Sequence, residues 1–234
     1  SARFADRIGI AFAGAAKYFE SKNVALVGHP LRRELLQHAP SREFAKTELG
    51  FSHDIPVLLV LGGSQGATRI NDFVFGNLDF LISRFQVLHQ VGRENFSEAE
   101  GKVQFLLNNF TEEERSRYRL VSYFETISSY QYAFAASDAV VSRAGAGTIF
   151  EIAAFGKPSL LIPLPEGADQ KANAYEYAAG GAAGVIEQEN LLPNLFQAQI
   201  KKILADEALQ GTMRKAAEQF AHPEAGRAIA EELL

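Results

Sequence analysis

Two short loops built from small residues carry the groups of this sequence that are best suited to bind a phosphate. The first runs Gly62-Gly63-Ser64-Gln65-Gly66-Ala67 and the second runs Ser142-Arg143-Ala144-Gly145-Ala146-Gly147-Thr148, each after an apolar segment and before a helical pattern. Unpaired N–H groups at the start of a helix attract anions, and a loop without bulky side chains lets a ligand approach the backbone closely. The pair of loops therefore predicts a site for a phosphorylated ligand.

Glu151 stands about one turn into the helix that follows the second loop, where the helix dipole favours a carboxylate. Its two acceptor oxygens match the two hydroxyls of a ribose, and Ser64 would donate a hydrogen bond to a phosphate oxygen. These groups together suit a nucleotide diphosphate. The alternative is a tight strand-to-helix turn whose glycines supply conformational freedom, with Glu151 as an ordinary first-turn acid.

Neither loop matches the known signatures of a phosphate or catalytic site. Gly62, Gly63 and Gly66 do not form G-x-G-x-x-G, and no Gly-Lys-Ser/Thr follows them, which excludes the dinucleotide fingerprint and the Walker A loop. Neither loop has His or Cys at metal-ligand spacing, and there is no G-x-S-x-G elbow. We therefore expect no metal and no cofactor, and a diphosphate held by backbone N–H groups and hydroxyls remains.

Strand and helix patterns alternate along the chain. The run from Ile55 to Leu61 is apolar throughout, as in a strand buried on both faces of a parallel sheet. Other strands are predicted at 23–27, 85–91, 118–124, 139–141, 159–163 and 184–187, and a strand with a short helix at 3–20. Helices are predicted at 40–49, across Ile70 to Leu78, and at 111–117, 127–137, 169–179, 192–220 and 224–234. This order predicts an α/β fold with a doubly wound, Rossmann-like parallel sheet, whose ligands bind at the carboxyl ends of the strands, where both loops lie.

The composition narrows the class of protein. The 234 residues carry a net charge of -5, which leaves no surplus of basic groups for nucleic acid as a general partner. The absence of cysteine excludes a disulfide framework and fits a cytosolic protein. No apolar run reaches the roughly 18 residues of a membrane span, and no signal-peptide pattern is visible.

Four motifs, in this order, resemble glycosyltransferase family 28, the MurG family of peptidoglycan N-acetylglucosaminyltransferases. They are 62–67, His89-Gln90-Val91-Gly92, 142–151 and Asp169-Gln170-Lys171-Ala172-Asn173-Ala174, and the resemblance extends over nearly the whole chain from Ala2. The resemblance implies a GT-B fold, in which two Rossmann-like domains face each other across a cleft. This chain would be the C-terminal half, which binds UDP-GlcNAc. The whole enzyme would transfer GlcNAc with inversion to lipid I, a lipid-linked muramyl-pentapeptide, and so make lipid II.

The resemblance also implies a division of the chain. Residues 1–27 resemble the tail of an acceptor domain with its linker, 28–220 the UDP-sugar donor-binding domain, and 221–234 a C-terminal helix that packs back toward the N-terminal domain. The general base and the membrane-facing patch of the family belong to the acceptor domain. We therefore expect no catalytic residue in this chain and no turnover by the chain alone. The full-length protein would be cytoplasmic and peripheral on the inner face of the bacterial cell membrane.

By the same resemblance, a set of residues would contact the donor. Arg32 and Ser64 would face the sugar and phosphates, residues 146–148 the diphosphate, and Glu151 the ribose. The backbone near Phe124 and Glu125 would read the uracil edge, and Gln170 and Asn173 would contact the GlcNAc hydroxyls. The complete predicted set is Arg32, Ser64, Gln65, Phe124, Glu125, Ala146, Gly147, Thr148, Glu151, Asp169, Gln170 and Asn173. The chain departs from the family at Asp169, often His or Gln, at His29, usually Asn, and at Phe150, usually a small residue.

Other interpretations of these residues remain open. Arg32 can be a surface cation at a helix start, His29 and His89 packed or turn histidines, and Gln170 and Asn173 a solvated helix face. For the whole protein, one rival is a different UDP-sugar enzyme of the GT-B fold, either another glycosyltransferase or a UDP-GlcNAc epimerase. A second rival is a non-catalytic donor-binding subunit that works with a separate membrane partner.

Overall fold

A six-stranded parallel sheet forms the centre of the computed structural model, which describes residues 5–19, 23–62, 68–165 and 168–233. The strand order is β5-β4-β3-β6-β7-β8, and every neighbouring pair is parallel. The strands are β3 Val57–Leu61, β4 Gln86–Gln90, β5 Tyr118–Val121, β6 Ala139–Ser142, β7 Ser159–Leu161 and β8 Ala183–Val185. This confirms the predicted fold class, although β5 and β7 end earlier than the apolar runs in the sequence suggest.

Helices cover both faces of the sheet. They are α1 Arg42–Glu48, α2 Thr68–Phe75, α3 Leu78–Ile82, α4 Phe96–Leu107, α5 Glu112–Ser116, α6 Ile127–Ala136, α7 Ala146–Ala154, α8 Ala168–Ala179, α9 Pro193–Ala205, α10 Glu207–Phe220 and α11 Ala225–Leu233. Leu58 and Val60 of β3 belong to one apolar cluster, whereas Leu59 and Leu61 belong to the other. Alternate residues of one strand thus face two cores, which explains the unbroken apolar run.

The direction of winding reverses between β3 and β6. Strands β4 and β5 follow on one side of β3, and β7 and β8 follow on the far side of β6. Leu61, the last residue of β3, pairs with Ser142, the last residue of β6, so the two loops after these strands leave the sheet side by side. In open α/β sheets ligands bind at such a switch point, and the two loops singled out in the sequence follow the two strands that form it.

Asp138 joins these two central strands at their opposite, amino-terminal end. Its carboxylate accepts hydrogen bonds from Arg42 Nε at 2.9 Å, Arg42 Nη2 at 3.0 Å and the Val57 amide at 2.8 Å. Lys46 is fully buried nearby and donates to the carbonyls of His53 and Ile55 at 3.1 and 2.7 Å. Burial lowers the pKa of Lys46. This polar cluster therefore sets how β3 and β6 enter the sheet, and their register fixes where both loops emerge.

Capping side chains show where two of the predicted helices begin. Ser41 accepts a hydrogen bond from the Phe44 amide at 3.2 Å and begins α1, and Thr111 with Glu114 forms the capping box of α5. Two helices differ from the prediction. The helical pattern that was extended to Leu78 is divided into α2 and α3, and α4 was not predicted at all.

The chain before the main sheet forms a small sheet of its own. Its strands, β1 Ile8–Ile10 and β2 Val24–Leu26, are parallel, and a 3₁₀ helix at Ala13–Tyr18 lies between them. Gly28 follows with φ of +79°, and a Cβ at this position would lie 2.3 Å from His222 Cβ. The segment that begins at Gly28 therefore packs against the end of the chain. Arg7 also forms an ion pair with Glu232 of α11. The domain boundaries given above remain a prediction.

Candidate functional site

The candidate site lies where β3 and β6 end. Residues 63–67, including the predicted contacts Ser64 and Gln65, lie outside the described residues, so their roles remain predictions. The loop after β6 is described in full. Ala144 is buried, and a Cβ on Gly145 would meet nothing within 4 Å. One side of this loop is therefore packed into the protein while Gly145 faces open space.

The amino terminus of α7 presents the backbone N–H groups predicted to bind a diphosphate. Gly145 is the N-cap, and no side chain caps the helix there. The first amide with an acceptor inside the helix is that of Ile149, which donates to the Gly145 carbonyl at 3.0 Å. By helix geometry, the amides of Ala146, Gly147 and Thr148 precede the first intrahelical bonds. All three residues are partly exposed, and the arrangement suits an anion.

Glu151 lies in the second turn of α7, so the alternative interpretation as an ordinary first-turn acid is wrong. The helix begins at Ala146 and has no acidic residue in its first turn. Since the helix dipole acts mainly within one turn, it contributes little to this carboxylate. Burial raises the pKa of Glu151, while a hydrogen bond from Tyr130 and the charges of Arg32 and His29 act in the opposite direction.

Tyr130 of α6 is the direct partner of Glu151. Its hydroxyl lies 2.5 Å from Glu151 Oε2, and burial raises the pKa of Tyr130, so that the hydroxyl stays protonated and donates. The ring packs edge-on against Phe124 at 5.7 Å between centroids. The sequence analysis did not identify Tyr130. Its spacing to Phe134 was a signal for packing, but nothing in the sequence indicates a carboxylate partner 21 residues away.

Arg32 and His29 approach the site from the segment after β2. Arg32 is exposed, and its positive charge favours the ionised form of Glu151, which opposes the rise in pKa caused by burial. The His29 ring stacks on Phe150 at 5.9 Å, and its Cε1 lies 3.8 Å from where a Cβ on Gly147 would stand. His29 Nδ1 lies 3.0 Å from the Pro30 carbonyl, an acceptor, so this nitrogen donates. His29 is therefore a packed histidine, as the alternative interpretation held.

The predicted uracil-reading segment lies between β5 and α6. The Phe124 side chain is buried. Glu125 is exposed and forms a two-point ion pair with Arg93, at 3.2 Å from Nε to Oε1 and 2.6 Å from Nη2 to Oε2. The Phe124 side chain thus packs in the core, and the Glu125 side chain binds Arg93. The predicted contact would use the backbone, and it stays a prediction.

Gln170 and Asn173 of α8 hold the loops at the sheet edge. Gln170 Oε1 accepts hydrogen bonds from the amides of Ala144 at 3.3 Å and Leu164 at 3.2 Å. Asn173 Nδ2 donates to the Ala144 carbonyl at 3.4 Å. Both side chains are partly buried, so the interpretation as a solvated helix face is wrong. Asp169, beside them, is exposed.

His89 has a structural role, as expected. It is fully buried, and its ring nitrogens lie 2.7 Å from the Tyr118 hydroxyl and 3.0 Å from Asn71 Oδ1. Burial lowers its pKa to about 3, so the ring is neutral at ordinary pH.

Among the described residues there is no cluster of three or more His, Cys, Asp or Glu side chains that could bind a metal ion. Within the same residues, none of the helices combines the length and the apolar character required to cross a bilayer.

Comparison with known proteins gives consistent matches. Residues 57–228 match the model of the glycosyltransferase family 28 C-terminal domain. The chain is 33% identical over 229 residues to the UDP-N-acetylglucosamine--N-acetylmuramyl-(pentapeptide) pyrophosphoryl-undecaprenol N-acetylglucosamine transferase of Caldanaerobacter subterraneus, covering 97% of this chain and 60% of that protein. A transferase of the same name from Clavibacter michiganensis is 35% identical over 220 residues, covering 92% of this chain and 55% of the relative. The chain thus spans little more than half the length of these relatives.

Solved structures show the same architecture. The crystal structure of MurG from Acinetobacter baumannii has a TM-score of 0.70 at 23% identity, covering 98% of this chain and 60% of that one. A UDP-GlcNAc 2-epimerase from Neisseria meningitidis, solved with UDP-GlcNAc bound, has a TM-score of 0.68 at 14% identity, covering 99% of this chain and 62% of that one. At these identities the likeness establishes the fold, which is that of the C-terminal half of GT-B enzymes.

Proposed function

The chain belongs to glycosyltransferase family 28, and on that premise we propose that it is the UDP-GlcNAc-binding domain of a peptidoglycan N-acetylglucosaminyltransferase. The whole enzyme would transfer GlcNAc from UDP-GlcNAc to a lipid-linked muramyl-pentapeptide, lipid I, and release lipid II. Its relatives in Caldanaerobacter subterraneus and Clavibacter michiganensis are named as transferases of this class. The lipid-linked acceptor would be bound by the part of the relatives that this chain does not cover. We place the full-length protein in the cytoplasm, peripheral to the inner face of the membrane where such an acceptor is anchored.

One observation carries the proposal. A partly buried carboxylate, Glu151, stands one turn beyond the uncapped amino terminus of α7, at the switch point of a parallel sheet. A nucleotide diphosphate offers a diol to such a carboxylate and a diphosphate to such a helix amino terminus. The amides of residues 146–148 would bind the diphosphate, and Glu151 would accept hydrogen bonds from the ribose. Arg32 would add a positive charge at the same edge.

The same groups suit the chemistry of transfer. In an inverting displacement, the acceptor hydroxyl attacks the anomeric carbon as the bond to UDP breaks, and negative charge develops on the departing diphosphate. The amides at the start of α7 are already oriented toward that charge, so they would stabilise the leaving group without reorganisation. Gln170 and Asn173 hold the neighbouring loops and would present their remaining polar atoms to the GlcNAc hydroxyls. The general base belongs to the acceptor-binding part, and this chain alone would bind donor without turnover.

Isothermal titration with UDP, UDP-GlcNAc, UDP-GalNAc and UDP-glucose tests the proposal. We expect UDP-GlcNAc to bind more tightly than the other sugar nucleotides. Glu151→Ala should weaken all four by about 10- to 100-fold, since hydrogen bonds to a charged acceptor are lost. Glu48→Ala is the matched control, because it removes one exposed acid from another helix and should leave every affinity unchanged.

Other outcomes would select between the rivals. UDP binding without preference for GlcNAc would keep the nucleotide site and point to another UDP-sugar enzyme. Epimerisation of UDP-GlcNAc by a chain extended to the length of the relatives would favour an epimerase. Binding without transfer by that longer chain, with transfer only after a membrane partner is added, would favour a donor-binding subunit. Equal binding by wild type and Glu151→Ala would refute the site, as would no binding by either chain length.

A further inference from the structure

We propose that Tyr130 is a positioning residue for the nucleoside of the donor: its hydroxyl holds one oxygen of Glu151 and so makes the site selective for ribose over deoxyribose. The inference rests on the proposed function, because it assigns Glu151 to the sugar hydroxyls of a nucleotide. It goes further in naming the group that gives this carboxylate a single orientation. The juxtaposition that supports it is a tyrosine of α6 in direct contact with a glutamate of α7.

The Tyr130 ring packs against two aromatic neighbours. It meets Phe124 edge-on at 5.7 Å and Phe134 at 5.0 Å, and Phe134 in turn stacks on Phe155 at 4.5 Å. Phe134 is fully buried. A ring packed in this way has few alternative rotamers, so the position of its hydroxyl is fixed by the core. The 2.5 Å hydrogen bond then transfers this order to Glu151 Oε2.

The carboxylate has no other fixed partner among the described residues. Arg32 and His29 are the charged or titratable groups whose fields reach it, and neither forms a hydrogen bond with it in this part of the chain. The terminal torsion of a glutamate side chain is broad, so an unanchored carboxylate would sample many orientations. Because Tyr130 holds Oε2, the other lone pairs of the Glu151 carboxylate keep a fixed orientation. A ligand hydroxyl that meets them does not have to immobilise the side chain itself.

The same tyrosine joins two parts of the site. Phe124 lies in the segment predicted to read the uracil edge, and Glu151 is predicted to bind the ribose. Tyr130 contacts both, so the distance between the base subsite and the ribose carboxylate is set by one rigid ring. This arrangement predicts that loss of the hydroxyl should harm recognition of the sugar hydroxyls more than recognition of the base and phosphates.

The variant Tyr130→Phe tests the contribution of the hydroxyl apart from that of the ring. It keeps the aromatic packing and removes only the donor to Glu151. We would measure affinities for UDP, 2′-deoxy-UDP and 3′-deoxy-UDP by isothermal titration for wild type, Tyr130→Phe and Glu151→Ala. Wild type should prefer UDP over at least one deoxy analogue by about tenfold or more, and Tyr130→Phe should lose most of this preference. Tyr132→Phe, which alters a tyrosine of the same helix that packs on Phe44, should keep it.

The pattern of losses distinguishes positioning from general destabilisation. If Tyr130 only supports the fold, Tyr130→Phe will weaken UDP and both deoxy analogues by the same factor and leave the preference intact, which would overturn the inference. A full preference in Tyr130→Phe with unchanged affinities would overturn it as well. In both cases the proposed function survives if Glu151→Ala still weakens UDP binding. If Glu151→Ala has no effect in the wild-type background, the proposed function itself fails. In the double variant Tyr130→Phe/Glu151→Ala, the tyrosine substitution should not change the ratio of UDP to deoxy-UDP affinities any further.

Discussion

Acidification should destabilise this domain through His89, and replacement by Gln should remove that effect. Asn71 Nδ2 donates to the Val91 carbonyl at 3.0 Å, so Asn71 Oδ1 is the atom that faces His89 Nε2, and Nε2 must donate to it. His89 Nδ1 then accepts from the Tyr118 hydroxyl at 2.7 Å. A second ring proton would place a positive charge on a fully buried ring and remove the hydrogen bond that Tyr118 donates to Nδ1.

The size of this destabilisation follows from the difference between the pKa of His89 in the unfolded and the folded chain. Burial lowers the pKa of His89 from 6.5 to about 3 in the folded protein. Between these values the unfolded chain binds the proton and the folded chain does not, so the free energy of unfolding falls as pH falls below 6.5. Each pH unit in that window removes about 1.4 kcal/mol. At about pH 4.5 the loss amounts to about 3 kcal/mol, a large share of the stability of an ordinary domain.

Urea unfolding at about pH 7, 5.5 and 4.5 measures this loss for wild type and His89→Gln. The variant lacks the titrating ring, so it should be less stable at neutral pH but should lose about 3 kcal/mol less than wild type on acidification. His38→Asn is the matched control. His38 is exposed with φ of 57°, a conformation that Asn adopts readily, and this change should leave the pH dependence unaltered. Equal losses for wild type and His89→Gln would refute the assignment of a neutral, buried His89.

Three further predictions follow from the site and its supports. Because burial raises the pKa of Glu151 above 4.5, UDP affinity should begin to fall at a pH above that value as the solution is acidified. UDP titrations of Glu151→Gln over the same pH range should lack the part of this fall that comes from protonation of the carboxylate. Gly28→Ala places a Cβ 2.3 Å from His222 Cβ at a φ of +79°, and should lower the free energy of unfolding by at least about 2 kcal/mol in urea. Gln170→Glu keeps an acceptor for the two loop amides but removes the amide N–H groups and adds a negative charge beside the proposed diphosphate site, so calorimetry should show weaker UDP binding and a smaller gain from the GlcNAc group.

The sequence was sufficient to predict the parallel sheet because its strands are buried on both faces. An apolar run such as 57–61 leaves few alternatives, and the small-residue loops identify where such strands end. Helix α4 was missed for the opposite reason. Only Ala99 and Val103 are buried in it, and Gly101 interrupts the pattern, so the segment has little amphipathic signal.

The candidate site was only partly predictable. Residues 145–148 were recognised because the loop lacks large side chains, which is a local property. The turn in which Glu151 lies depends on the residue at which α7 begins, and one or two residues of uncertainty change its relation to the helix dipole. The contacts of Tyr130 and Gln170 join different elements. Such tertiary hydrogen bonds have no local pattern, so they could be found only in the structure.

A crystal structure of this chain with UDP bound would test the central claim most directly. We expect the diphosphate to lie within hydrogen-bond distance of the amides of Ala146, Gly147 or Thr148. We also expect a ribose hydroxyl to contact Glu151 while Tyr130 keeps its hydrogen bond to Oε2. A nucleotide bound at another edge of the sheet, or one whose ribose makes no contact with Glu151, would contradict this claim.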